Sequence, residues 1–230
     1  VIVPWNSPVI LAVRSFAPAL AAGCTVVVRM PGQAAQVASV LSEILAEAPD
    51  LPAGVVNIFA ESDRQGAEHL VESEAVPTIS FTGSTRTGAA IGAVGARRIK
   101  RFGLELGGKA PMIVFDDADV ASMIPVLAGQ FCMTGSRLLV QDNLYEVVRD
   151  RLAERLRNVR VGPAADPASD MGPLIDKANV ARVDKVVTEA IAAGARAIVR
   201  GGPVADGPLA AGAFFRPAML EVDDNRLAIV

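Results

Sequence analysis

Cysteine and histidine are nearly absent from this chain of 230 residues, which has only Cys24, Cys132 and His69. That scarcity excludes the usual Cys/His zinc frameworks, which need four such ligands at short spacings, so no metal site is expected. It also leaves no disulfide scaffold of the kind small secreted domains depend on, so a reduced, cytoplasmic setting is expected. Aromatic residues make up 4% of the chain, too few for an aromatic-rich binding surface. The apolar residues are mostly Ala, Val, Leu and Ile, a mix suited to helices packed on buried strands. Neither sign of charge dominates. A net charge of -3 provides no general attraction for nucleic acid. The local basic run Arg97-Arg98-Ile99-Lys100-Arg101 reads as a solvated helix end, where cations are favoured. No apolar run reaches the roughly 18 to 20 residues that a bilayer demands, so no membrane partner is expected. The apolar start, 1–13, is interrupted by Pro4, Asn6 and Pro8 and has no basic n-region, unlike a signal peptide. An initiator Met is missing as well, and the chain closes on Leu227-Ala228-Ile229-Val230. Both ends are expected to be cut from something longer.

What the sequence has in abundance is alternation. Short β-rich runs at 1–3, 25–29, 55–59, 78–81 and 102–106 are separated by Ala-rich stretches at 10–22, 34–47, 65–72 and 85–99. Each of those stretches carries apolar residues at helical spacing. Continuous apolar strands alternating with helices predict an α/β fold, a doubly wound parallel sheet covered on both faces. Such a sheet offers its ligand crevice at the carboxyl ends of the strands, where Asn6, Arg29 and Ser84 fall. After Gly107-Gly108 a second α/β block is expected. It has strands at 111–115, 138–141 and 197–199, and helices from about 119, at 144–157 and at 177–193. Surface loops are expected at 162–173 and 201–212. The domain boundary is placed at 107/108, which would set Glu105 and Cys132 on opposite sides of a cleft.

Three segments carry chemistry-bearing side chains. Cys132, in Gly129-Gln130-Phe131-Cys132-Met133-Thr134-Gly135-Ser136-Arg137, is the best nucleophile candidate. A thiol attacks carbonyls as its thiolate, favoured beside backbone N–H groups or positive charge such as Arg137. Taken alone it reads more simply as an inert buried thiol, and Cys24, at a strand start, fits that description too. Glu105, between Leu104 and Leu106, is a carboxylate in an apolar run, a setting that disfavours its charge and suits general-base work. A strand-end carboxylate paired with Lys109 is the alternative. Asn6, after Trp5 and between two prolines, holds an amide that can donate to an oxyanion or merely serve turn geometry. The run 81–85, FTGST, follows a strand and opens a helix. It suits a phosphate cradle and an N-capped helix equally well.

These segments stand in one order, together with 17–28 (APALAAGCTVVV), Gly54-Val55-Val56-Asn57, 105–109 (ELGGK), Asp116-Asp117-Ala118-Asp119 and Met171-Gly172-Pro173-Leu174. Over nearly its whole length the chain thereby resembles the aldehyde dehydrogenase superfamily. The resemblance implies NAD(P)-dependent oxidation of an aldehyde to a carboxylic acid by a homodimer or homotetramer. It divides the chain into an NAD(P)-binding domain, 1–107, and a catalytic domain, 108–230. It gives Cys132 the role of nucleophile and Asn6 that of oxyanion donor, with Glu105 as the base that activates the hydrolytic water. Gly83 and Ser84 are expected beside the cofactor pyrophosphate and Arg29 near the adenosine ribose, with Trp5 and Leu106 also at the cofactor. Ser7, Arg14, Phe131 and Met133 are expected to line the substrate pocket, although Arg14 reads equally as a solvated helix residue.

The chain departs from the family pattern in several places. Arg29 replaces a lysine, and Gly32 stands where a ribose-binding glutamate is common, so NADP is expected to be tolerated or preferred. Ser7 replaces an aromatic residue. The segment 119–130 is about two helical turns short, and a Glu-containing Phe-Gly-Pro motif is expected beyond Val230. The chain is therefore expected to be part of a complete enzyme. Two rivals stay open: transfer of the acyl group to CoA, which Glu105 argues against, and a non-catalytic cofactor-binding or oligomerisation remnant.

Overall fold

The computed structural model describes residues 1–119, 130, 132 and 134–227. It divides into two compact units, Val1–Gly108 and Lys109–Val230.

The first unit runs α1 (Pro8–Ala21), β1 (Val26–Pro31), α2 (Ala35–Ala46), β2 (Val56–Glu61), α3 (Gln65–Glu72), β3 (Thr78–Thr82), α4 (Thr85–Ala96) and β4 (Arg101–Glu105). β1 pairs with β2 and β3 with β4, both parallel. The segment 1–3 joins the two pairs through Ile2, which bridges Arg29 on one side and Phe81 on the other, both in parallel. Ile2 N donates to Ser80 O (2.8 Å) and Val3 N to Arg29 O (3.1 Å). The sheet order is therefore β2, β1, 1–3, β3, β4.

Strand alternation sorts the side chains to two faces. Val3, Val26, Val28 and Met30 pack against Leu11, Ala12 and Phe16 of α1 and Ala38 and Leu41 of α2. Ile2, Ile79 and Phe81 pack on the other face with Leu70 and Val71 of α3 and Ile91 of α4. Each such buried Val, Leu, Ile, Met or Phe side chain contributes about 1.5–3 kcal/mol. Two helices on each face make the sheet doubly wound. On its outer side the α1/α2 layer leaves an apolar trough of about 280 Å³, walled by Val9, Val37, Val40, Leu41 and Ile44.

Two expectations about α4 need correction. The helix stops at Ala96, three residues before Ile99. Ile99 takes a left-handed backbone (φ 52°) at the position after a helix where glycine is favoured, while Lys100 N reaches back to Gly95 O (3.2 Å). Nor is the Arg97–Arg101 run uniformly solvated. Lys100 is buried and donates Nζ to Ser73 O (2.5 Å) and Val76 O, replacing water on the carbonyls that follow α3. That burial lowers its pKa, with the nearby Arg98 charge adding to the effect.

The second unit contains β5 (Pro111–Val114), β6 (Arg137–Val140), α5 (Tyr145–Arg157), α6 (Lys177–Ala192), β7 (Arg196–Val199), β8 (Gly202–Pro203), β9 (Phe215–Arg216) and β10 (Met219–Glu221). β5 and β6 are parallel, whereas β7–β10 and β8–β9 are antiparallel. Leu174, Val187 and Phe215 form its apolar centre, with Val183 and Leu220 packed around them. The stretch 201–212, expected to be plain loop, carries β8 and a 3-10 turn at Gly207–Leu209. The pairing with β9 satisfies backbone groups that sequence pattern alone does not reveal. The helix expected from about 119 lies outside the described residues. No helix among the described residues is long and apolar enough to cross a membrane.

Candidate active site

The carboxyl edge of the first unit's sheet collects most of the singled-out side chains. Asn6 follows the 1–3 segment by three residues and precedes α1, whose N-cap position is Ser7 and whose first residue is Pro8. Pro8 presets the helical φ at a place where a missing N–H costs nothing. Trp5, Asn6 and Ser7 are all half-buried. Glu105 is the last residue of β4, and Thr82, the last of β3, is its register partner. Arg14, nearly two turns into α1, brings Nη2 to 4.0 Å from Glu105 Oε2 and to 3.5 Å from Thr82 Oγ1.

The surroundings of Glu105 overturn the expectation of an apolar setting. Its side chain is 65% exposed, and Leu104 and Leu106 are exposed as well. The reason is topological. Among the described residues β4 has β3 on one side and no strand on the other, so its side chains are poorly covered. Glu105 pairs with Arg14, not with Lys109.

At the turn from β3 to α4, Gly83 N donates to Glu105 O (3.0 Å) and ties the two strand ends together. Ser84 caps α4, its Oγ accepting from Thr87 N (3.2 Å) and sharing a hydrogen bond with Thr87 Oγ1 (2.8 Å). The N-capped helix read from FTGST is thus present. Its first turn still presents the positive end of a helix dipole toward the sheet edge.

Arg29, near the end of β1, is tied down more tightly than its sequence suggested. Its Nε donates to Glu61 Oε1 (2.7 Å) and its Nη2 to Asp63 O (2.6 Å). Glu61, the last residue of β2, also accepts from Gly66 N (2.7 Å) and Ala67 N (3.1 Å) at the start of α3. Desolvation works to raise the Glu61 pKa. The Arg29 hydrogen bond and the two backbone N–H groups outweigh it and hold the carboxyl below its usual range. Gly66 is required for this approach, because a Cβ there would stand 2.5 Å from the Phe59 ring and 2.8 Å from Glu61 Oε2.

Cys132 belongs to the second unit, in the segment leading into β6, and it is exposed, so the inert core thiol is not what the fold builds. The end of that segment is pinned to the start of β5 by Ser136 N donating to Ala110 O (3.4 Å) and by Arg137 Nη2 donating to Lys109 O. Gln130 Oε1 accepts from Ile175 N (3.1 Å). Cys24, also expected to be buried, is exposed too, in the surface turn between α1 and β1. The pocket candidates Phe131 and Met133, and the shortened segment before Gln130, lie outside the described residues. Among the described residues no cluster of His, Cys, Asp and Glu is arranged to hold a metal ion.

Sequence reasoning missed Glu61. The strand pattern ends at Phe59, whereas β2 runs on to Glu61. The available signal was a carboxylate just before a helix start, where anions meet free N–H groups.

The aldehyde dehydrogenase family model matches residues 1–230. The chain belongs to the aldehyde dehydrogenase family. Among its relatives is a glutarate-semialdehyde dehydrogenase of Pseudomonas aeruginosa, 37% identical over 100% of this chain and 48% of the relative. Another is a succinate-semialdehyde dehydrogenase of Escherichia coli named for NADP(+), 37% identical over 95% of this chain and 46% of the relative. A solved Mycobacterium tuberculosis aldehyde dehydrogenase complexed with NAD+ superposes with a TM-score of 0.91 at 35% identity, covering 99% of this chain and 48% of that one. The chain spans about half the length of the relatives it matches. The α/β architecture expected from the alternating strands and helices is that of the family, with the doubly wound parallel sheet in the first unit.

Proposed function

We propose that the complete polypeptide oxidises an aldehyde to a carboxylic acid with NAD or NADP, the thiol of Cys132 carrying the reaction. The observation that bears most weight is the match of the family along all 230 residues, joined to an exposed Cys132 thiol and to Asn6 and Glu105 at one sheet edge. The first unit is the dinucleotide-binding domain in this reading and the second the catalytic domain. The residues fit such a cofactor. A parallel sheet's carboxyl edge is where dinucleotides bind, with the first turn of α4 behind Gly83 and Ser84 for the pyrophosphate. Arg29 and Glu61 stand at two neighbouring strand ends for the adenosine ribose, and Trp5 and Leu106 flank the same edge. When bound, the cofactor supplies the acceptor for the hydride that leaves the substrate carbon.

The protein's own side chains do the rest. The Cys132 thiolate adds to the aldehyde carbon, and the oxygen that gains charge is held by the Asn6 amide and the Cys132 backbone N–H. Loss of hydride leaves a thioester on Cys132. Glu105 takes a proton from water as it attacks the acyl carbon, releasing the acid and regenerating the thiolate. Its exposure and its loose pairing with Arg14 leave the carboxylate free to move toward such a water.

Two relatives are named for glutarate semialdehyde and succinate semialdehyde, aldehydes with a carboxylate at the far end. Arg14, 49% exposed at the same edge, is a guanidinium suited to that carboxylate, so an aldehyde bearing a remote acid is the proposed substrate class. Ser7 adds a small polar wall beside Asn6.

Rapid mixing of the complete enzyme with succinate semialdehyde and NAD or NADP tests this reading. A burst of reduced cofactor that disappears in Cys132→Ser, with acid formed in the absence of CoA, is the expected result. Cofactor binding without any burst would make the protein a binding remnant, and a strict need for CoA would make it an acyl-transferring enzyme.

A further inference from the structure

The half-buried charge pair at the ends of β1 and β2 bears on the choice of coenzyme, and sequence spacing does not reveal it. Arg29 and Glu61 are 32 residues apart, and their side chains are only 14% and 12% exposed. In a parallel sheet that binds dinucleotides, a carboxylate near a strand end accepts hydrogen bonds from the ribose diol of NAD, whereas an arginine there receives the 2′-phosphate of NADP. Here the two groups are joined. Four donors that would attract a phosphate already serve protein oxygens: Arg29 Nε, Gly66 N and Ala67 N bond Glu61, and Arg29 Nη2 bonds Asp63 O. A phosphate arriving at Arg29 would meet the Glu61 negative charge in a half-buried place, where like charges repel with little screening.

Gly32 sharpens the point. A Cβ at that position would stand 3.0 Å from Ser62 Cα and 3.1 Å from Glu61 O, so the backbone there is backed against the end of β2. Residue 32 carries no carboxylate of its own, and the Glu61 backbone carbonyl lies beside it at the end of the neighbouring strand.

We propose that Glu61 is the specificity-determining residue for the coenzyme: paired with Arg29, it favours the ribose diol of NAD and disfavours the 2′-phosphate of NADP. This rests on the dinucleotide-binding reading of the first unit. NADP tolerance, expected from Arg29 and Gly32, becomes a residual capacity set by how far Glu61 can be displaced.

Equilibrium binding of two cofactor fragments, adenosine 5′-phosphate and adenosine 2′,5′-bisphosphate, to the complete polypeptide measures this without turnover. The wild-type protein is expected to bind the monophosphate at least about tenfold more tightly than the bisphosphate. Glu61→Gln keeps an oxygen for the α3 N–H groups but removes the charge. It is expected to move the affinity ratio at least about tenfold toward the bisphosphate, and Arg29→Ala in the same background is expected to cancel the gain. A purely structural role for Glu61 would weaken both fragments together and leave the ratio within twofold, which would overturn the proposal. Equal affinities in the wild type would overturn it without any variant having to fold. Absence of binding by either fragment to any form would instead bring down the dinucleotide reading itself.

Discussion

Glu61 and Glu105 are both final residues of parallel strands at the same edge of one sheet, yet the fold treats them in opposite ways. Glu61 is almost covered and receives three N–H donors, from Arg29, Gly66 and Ala67. Glu105 is 65% exposed and faces Arg14 at 4.0 Å, the outer limit of an ion pair and a weak restraint at an exposed site. A carboxylate held by three donors stays ionised and stationary, suited to recognition and to anchoring a helix. A carboxylate with room to move suits proton transfer to a water that comes and goes. Sheet position accounts for the difference: β2 abuts the N-terminus of α3, which supplies donors, whereas β4 has no strand beyond it among the described residues.

The largest expected effect separates the two in catalysis. Glu105→Gln should lower steady-state turnover about 10²–10⁴-fold while a single burst of reduced cofactor survives, because only hydrolysis loses its base. Glu61→Gln, assayed with saturating NAD, should change turnover by no more than a few-fold. A Glu105→Gln enzyme with full turnover would break the assignment.

Stability should show the reverse order. Glu61→Ala strands a half-buried guanidinium and two helix N–H groups and should cost about 2 kcal/mol. Glu105→Ala should stay within about 0.5 kcal/mol, as exposed sites do. Urea unfolding of the complete protein reads both. Because the folded Glu61 carboxyl titrates below its unfolded value near 4.5, its contribution is fully present above that pH. It is lost as pH falls through the folded value. The gap between wild type and Glu61→Gln should therefore be constant at neutral pH and narrow only in acid. A gap that narrowed on the alkaline side would contradict the sign of the shift.

The smallest effect concerns Arg14, which sits beside the freer carboxylate. Arg14→Ala should raise KM for succinate semialdehyde about tenfold, the worth of one charge-assisted hydrogen bond, with little change for butanal. Equal changes for both aldehydes would show Arg14 acting on Glu105 and not on the substrate.

Much of the first unit is legible in the sequence. Apolar runs such as Val26-Val27-Val28 and the helical spacing through 65–72 mark β1 and α3 to within a few residues, because period-2 and period-3.6 patterns are local. Helix ends were less legible. α4 stops at Ala96 since Ile99 takes a left-handed backbone and Lys100 turns inward to carbonyls of another element, and neither event has a local periodicity. Exposure was misjudged for Glu105 and Cys24 alike. Apolar neighbours in sequence say little about cover when a strand lies at a sheet edge or a turn lies at the surface.

By itself the sequence determined the alternation of strands and helices, the order of the family motifs, and so the chemistry that Asn6, Glu105 and Cys132 are proposed to share. Tertiary structure alone decided that Arg29 meets Glu61 across 32 residues, that Glu105 faces solvent beside Arg14, and that Lys100 is buried. The physical reason is range. Propensity and motif spacing act over a few residues, whereas the partner of a charge depends on which strand ends the sheet order brings together.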